Sequence, residues 1–194
     1  RIADVRRADL PSQIPALEEL YRDCGSGYDL SLDVKDRAAA AEAVAVAEAA
    51  GAAGRLWLCS SGPVLARWRR LSDAVHLVDS TGWGQIREGL SARARRLRAE
   101  GVDALNLPWR DWTAARVGAV HEEGVLAFAW GAQRTALIAA LCRVGVDGVY
   151  SDHVRRMQEG IRRGAARQNQ CSRESGQMRT KARPTMRDRD TGPK

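Results

Sequence analysis

Apolar positions along the chain switch between two periods. Short runs that alternate every second residue, or are apolar throughout, predict strands; stretches with apolar residues three and four apart predict helices between them. The first such run, residues 28–35, places Leu30, Leu32 and Val34 on one face and Ser31, Asp33 and Lys35 on the other. A short helix is expected before it over 14–21, with Pro15 in its first turn and Leu17, Leu20 and Tyr21 as its stripe. Further strands are expected at 56–59, 75–79, 104–107, 125–130 and 145–150. Helices are expected at 36–50 (capped by Asp36), from Pro63 to Leu71, at 85–99, from Asp111 (as cap) to Glu123, at 133–143, and from Asp152 to about Gly164.

Strand and helix in regular succession predict an α/β fold with a parallel sheet, either open and doubly wound or most of a (β/α)8 TIM barrel. No Gly-x-Gly-x-x-Gly or Walker loop follows a strand, which disfavours the nucleotide-binding open sheet. A full barrel takes about 250 residues. Residues 1–160 therefore correspond to an N-terminally truncated barrel of about six of the eight strands.

The strand at 28–35 carries the first candidate chemistry. Strands of a parallel sheet are normally covered on both faces, so Asp33 and Lys35 on a face expected to be buried need a reason. One is a site at the C-terminal end of a barrel strand, where barrel active sites lie; the other is a buried ion pair with no chemistry. Asn106 is a polar residue at an inward-looking strand position, and Trp130 ends its strand at the same barrel face. Packing is the alternative role for Trp130.

Composition changes this picture only at the C-terminus. The formal net charge is +7, and residues 161–194 hold 10 Lys/Arg against 3 Asp/Glu, so the rest of the chain is formally neutral. This segment has almost no large apolar residues and is read as a disordered basic tail with no specific nucleic-acid partner. Cys24, Cys59, Cys142 and Cys171 form no CxxC or metal-ligand spacing, and three of them are read as buried, reduced thiols, which favours the cytoplasm. No apolar run is long enough for a transmembrane helix. The chain begins at Arg1 rather than Met, so the start of the reading frame, with any signal peptide, is expected to be missing.

Five motifs in order resemble the glycerophosphodiester phosphodiesterase family, over residues 14–152. Ile14-Pro-Ala-Leu-Glu-Glu-Leu20 is similar to the family's Ile-Pro-Thr-Leu-Glu-Glu helix, and Leu32-Asp-Val-Lys35 to its Ile-Glu-Ile-Lys strand. Ser60 stands where the family has a Ser after an apolar strand, and Phe128-Ala-Trp130 resembles its Val-x-Trp strand. Gly145-Val-Asp-Gly-Val-Tyr-Ser-Asp152 resembles its closing Gly-Val-Asp-Gly-Ile-Ile-Thr-Asp and is the most specific of the five.

The resemblance implies a metal-dependent phosphoric diester hydrolase of glycerophospholipid metabolism, on a (β/α)8 barrel, that cleaves glycerophosphodiesters to glycerol phosphate and an alcohol. It assigns Asp33 as a ligand of a divalent ion, Mg or Ca, and Lys35 as the catalytic residue that offsets phosphate charge. Carboxylate oxygen suits a hard cation, and an ammonium suits charge developing on phosphate. Trp130 and Asn106 become candidate substrate-binding residues, while Asp152 is expected to cap its helix.

Two departures bear on activity. Asp33 is one methylene shorter than the family's Glu. The family's His-Arg-Gly, Glu-x-Asp and further His, which supply its acid/base pair and most metal ligands, have no counterpart. His76, on a strand, His121, on an outer helix, and His153, past the last strand, do not replace them. This chain alone is therefore expected to be inactive. The alternatives are a non-catalytic barrel relative acting as a binding module, or another phosphate-handling barrel such as a phosphoinositide-type phospholipase.

Overall fold

A computed structural model describes residues 5–166. Six strands, β1 (Leu30–Asp33), β2 (Leu56–Ser60), β3 (His76–Ser80), β4 (Ala104–Pro108), β5 (Leu126–Trp130) and β6 (Gly148–Val149), form one sheet. They lie in sequence order, and every neighbouring pair is parallel. Helices α1 (Leu17–Cys24), α2 (Ala39–Ala49), α3 (Val64–Trp68), α4 (Leu90–Ala99), α5 (Ala114–His121) and α6 (Thr135–Val144) alternate with them. A seventh, α7, covers 154–166. The architecture is an open six-stranded (β/α) barrel, the second of the two closures that the alternation allows. Most of the predicted basic tail, from residue 167 on, lies outside the described residues; residues 161–166, assigned to that tail by composition, are helical.

Each strand has an outer face under the helices and an inner, concave face. Leu56, Leu58, Leu77, Leu105, Leu107, Ala127 and Ala129 are fully buried on the outer face. They join one core with Val44, Leu65, Leu97, Val120 and Ile138 of the helices. Each buried Leu adds roughly 2 kcal/mol through apolar burial. The inner face holds a smaller cluster of Cys59, Val78 and Ala104, packed by Trp57, Phe128 and Tyr150. Asp79 is the exception on the outer face: fully buried, it accepts two bonds from Arg93 of α4, at 2.6 and 2.9 Å.

The Gly-Val-Asp run of the closing motif occurs twice and does the same work each time. Asp103 accepts from the Leu77 N–H at 2.8 Å, and Asp147 accepts from the Ala127 N–H at 2.7 Å. Each carboxylate thus ties the entry of its own strand to the start of the preceding one. Arg69 and His121 complete the two clusters. Gly101 and Gly145 have φ of +72° and +93°, where an L side chain is strained. Gly148 leaves room for the Phe128 ring, which a Cβ would approach to 2.9 Å. The most specific part of the motif therefore builds the N-terminal end of the sheet, which serves stability rather than chemistry.

Several expected details change. Thr113, not Asp111, caps α5, accepting from the Arg116 N–H. Asp152 instead accepts from Gln133 Nε2 at 2.7 Å, joining the loops after β5 and β6. Cys59 is buried as expected, but Cys24 is exposed, because the last turn of α1 faces solvent. Among the described residues no helix is long and apolar enough to cross a membrane.

Candidate functional site

At the C-terminal ends of the strands the concave face opens into a cavity of about 460 Å³. Ser31, Asp33 and Lys35 line it from β1 and the residues after it, Cys59 from β2, Ser80 from β3, Asn106 from β4, Trp130 from β5, and Tyr150 from the end of β6. Period-two alternation explains the set: each is an inward position of its strand, brought level by the parallel register that pairs Asp33 with Cys59, Ser80 with Asn106 and Pro108 with Trp130. The four residues singled out from the sequence, Asp33, Lys35, Asn106 and Trp130, all reach this one cavity.

Their environments differ from expectation in one respect. Asp33 and Lys35 form an ion pair, Lys35 Nζ to Asp33 Oδ2 at 2.5 Å, but it is not buried: the side chains are 65% and 83% exposed. The reason is topological. Among the described residues β1 has a strand on one side only, β2, so its end stands at an open edge of the sheet. Asn106 is the buried member of the set, 4% exposed, and its Nδ2 donates to Ser80 Oγ at 3.0 Å. Its Oδ1 has no protein partner. Trp130 is 40% exposed and forms an apolar rim.

The floor comprises residues that the sequence reading missed. Tyr150 and Ser31 hydroxyls share a hydrogen bond of 3.0 Å, and both lie beside Cys59 Sγ, at 3.6 and 3.7 Å. Burial pushes the Tyr150 phenol well above its ordinary range and raises the Cys59 thiol as well. Both groups are neutral near pH 7, and Cys59 is no activated nucleophile. Two signals were available: Ser31 is the period-two mate of Asp33, and Tyr150 replaces an apolar residue of the closing motif. None of the three histidines lines the cavity. His76 stacks on Trp57 at 4.2 Å at the other end of the barrel, His121 bonds Asp147 at 2.7 Å, and His153 is exposed.

A divalent ion takes about six or more oxygen ligands. Asp33 is the one carboxylate of the cavity, and it is already paired with Lys35. Among the described residues no three His, Cys, Asp or Glu side chains are grouped to hold a metal ion. The described residues do not, by themselves, fit such an ion.

An open (β/α) barrel with a polar cavity at the C-terminal ends of its strands places the chain in the barrel class that carries active sites at that face. Comparison with solved structures narrows the fold. The structure matches a protein described as a glycerophosphoryl diester phosphodiesterase from Silicibacter pomeroyi (TM-score 0.62, 23% identity), covering 76% of this chain and 56% of that one. It also matches a glycerophosphodiester phosphodiesterase from Parabacteroides distasonis (TM-score 0.61, 18% identity), covering 78% of this chain and 65% of that one. An Oleispira antarctica phosphodiesterase in complex with its product sn-glycerol-3-phosphate matches as well (TM-score 0.58, 17% identity), over 76% of this chain and 61% of that one. The fold is thus the one these phosphodiesterase structures share, and the chain spans 56% to 65% of their lengths. No protein-family model matches the sequence, and no curated protein matches it significantly.

Proposed function

We propose that this chain forms the phosphate-ester-binding part of a glycerophosphodiester phosphodiesterase-type barrel. One observation carries the reading: Lys35, Asp33 and Trp130, from motifs far apart in sequence, and Asn106, from its inward strand position, converge on one cavity at the C-terminal face. In this reading the Lys35 ammonium attracts the phosphate and offsets charge that builds on its oxygens as water attacks phosphorus. The Asn106 amide and the Ser31 and Ser80 hydroxyls offer neutral hydrogen bonds to the glycerol side, and Trp130 gives it an apolar wall.

Hydrolysis breaks a P–O bond and returns a proton to the leaving alkoxide. That step needs a general acid, and the cavity lining contains no histidine. Among the described residues Asp33 is the one carboxylate that lines the cavity, so no step is routed through a metal. We expect chain 1–194 alone to bind sn-glycerol 3-phosphate but not to turn over glycerophosphocholine, and, where the reading frame extends upstream, the extended chain to release glycerol 3-phosphate in a metal-dependent way. Metal-dependent turnover by chain 1–194 alone would overturn the first expectation. An extended chain that binds but never hydrolyses would establish the second reading, a non-catalytic binding barrel, which the histidine-free cavity favours.

A further inference from the structure

The Tyr150–Ser31 contact joins the two ends of the sheet. Ser31 lies on β1 and Tyr150 directly follows β6, 119 residues apart, yet their hydroxyls meet at 3.0 Å across the barrel interior. The two residues line two cavities at once: the cavity of about 460 Å³ above, and one of about 290 Å³ below, walled by Trp57 and Phe128 with Asp29 and Asp147 beside them. Their contact therefore stands between the two cavities. It also acts at an edge of the sheet, since among the described residues the backbone of β1 is hydrogen-bonded to a strand on one side only.

We propose that Tyr150 is a positioning residue for the site: its hydroxyl, through Ser31, holds the edge strand β1 so that Asp33 and Lys35, two and four residues further on, stay at the cavity. The phenol suits the task. Its ring is anchored edge-on against Phe128, with centroids 6.1 Å apart, and its hydroxyl has Ser31 and Cys59 as neighbours. Ser31 is exposed and Tyr150 half-buried, and a hydroxyl that meets a second hydroxyl across the sheet sets a distance that apolar packing alone leaves loose.

The test uses chain 1–194 and the variants Tyr150→Phe, Ser31→Ala, Ser31→Thr and the Tyr150→Phe/Ser31→Ala double. Amide hydrogen exchange is followed in residues 30–33 and, as reference, in residues 104–108 of the central strand β4. Losing one such hydrogen bond should speed exchange in 30–33 about fivefold relative to β4 in both Tyr150→Phe and Ser31→Ala. The double variant should be no worse than either single one, because both remove the same contact, and Ser31→Thr, which keeps the hydroxyl, should stay near wild type. An unchanged 30–33 segment in Tyr150→Phe, or equal loosening of β1 and β4, overturns the proposal. A second readout, affinity for sn-glycerol 3-phosphate, rests on the phosphodiester reading and should fall by a similar factor in Tyr150→Phe with little change in melting temperature. If the wild-type chain does not bind that probe, the phosphodiester reading fails, and the exchange pattern still decides the role of Tyr150.

Discussion

Lys35 Nζ stands 2.5 Å from Asp33 Oδ2, and both side chains are largely in solvent. An exposed ion pair contributes at most about 1 kcal/mol, so stability alone gives this pair little purpose. Lys35→Ala should change the unfolding free energy by less than about 1 kcal/mol while removing most of the affinity for sn-glycerol 3-phosphate. Denaturant melts and a titration by NMR check both halves. A large loss of stability with unchanged binding would return Lys35 to a structural role.

The opposite case is Arg93 with Asp79. Asp79 is fully buried, and Arg93 is its charged partner at 2.6 Å, under α4. Burial pushes the Asp79 carboxyl up, against the pull of the guanidinium. Removing the arginine strands that carboxyl without its partner. Arg93→Ala should cost roughly 3–5 kcal/mol, measured by urea denaturation, and Arg93→Lys should recover only part of it because the guanidinium makes two bonds where an ammonium makes one.

Acid sensitivity should be visible just ahead of the same helix. The Glu88 carboxyl is held at about 2, well below its ordinary 4.5, first by a bond from its own backbone N–H and then by Arg96 and Arg93. Its position before the N-terminus of α4 acts in the same direction. Because the folded-state value is the lower one, the stabilisation is complete above pH 4.5 and is lost as pH falls toward 2. A carbon-detected titration of Glu88 should show that low midpoint, and Glu88→Gln should flatten this part of the stability profile.

Helix α7 is seated on α6 through two glycines. A Cβ at Gly160 would stand 2.6 Å from Ile138 Cβ and 2.9 Å from the Thr135 carbonyl oxygen. At Gly164 it would stand 2.5 Å from Cys142 Cβ. Alanine normally favours a helix over glycine by about 1 kcal/mol; here overpacking reverses the sign. Gly160→Ala and Gly164→Ala should each destabilise the chain by about 1–3 kcal/mol, with exchange increased in 154–166 before the rest of the fold. An alanine variant that melts higher than wild type would show that α7 does not pack this closely in solution.

What the sequence by itself determined is what depends on short-range periodicity. The alternation of strand and helix set the parallel sheet, because each apolar run has one length and one period compatible with a buried strand or an amphipathic helix; the sequential strand order belongs to the tertiary structure. It also marked Asp33, Lys35, Asn106 and Trp130, since a polar residue at an inward position, or a large ring at a strand end, breaks the local pattern. Only the tertiary structure decided how those residues are surrounded. The exposure of the Asp33–Lys35 pair follows from the place of β1 at the sheet edge, and nothing within residues 28–35 reports on which strands flank them. The Tyr150–Ser31 contact spans 119 residues and exists because the sheet curls until its first and last strands face one another. The two Gly-Val-Asp runs read locally as strand entries; their carboxylates were assigned a task only when the neighbouring strands supplied the N–H groups they accept. Local pattern dictates which face a side chain takes, while curvature and strand order dictate what it meets there.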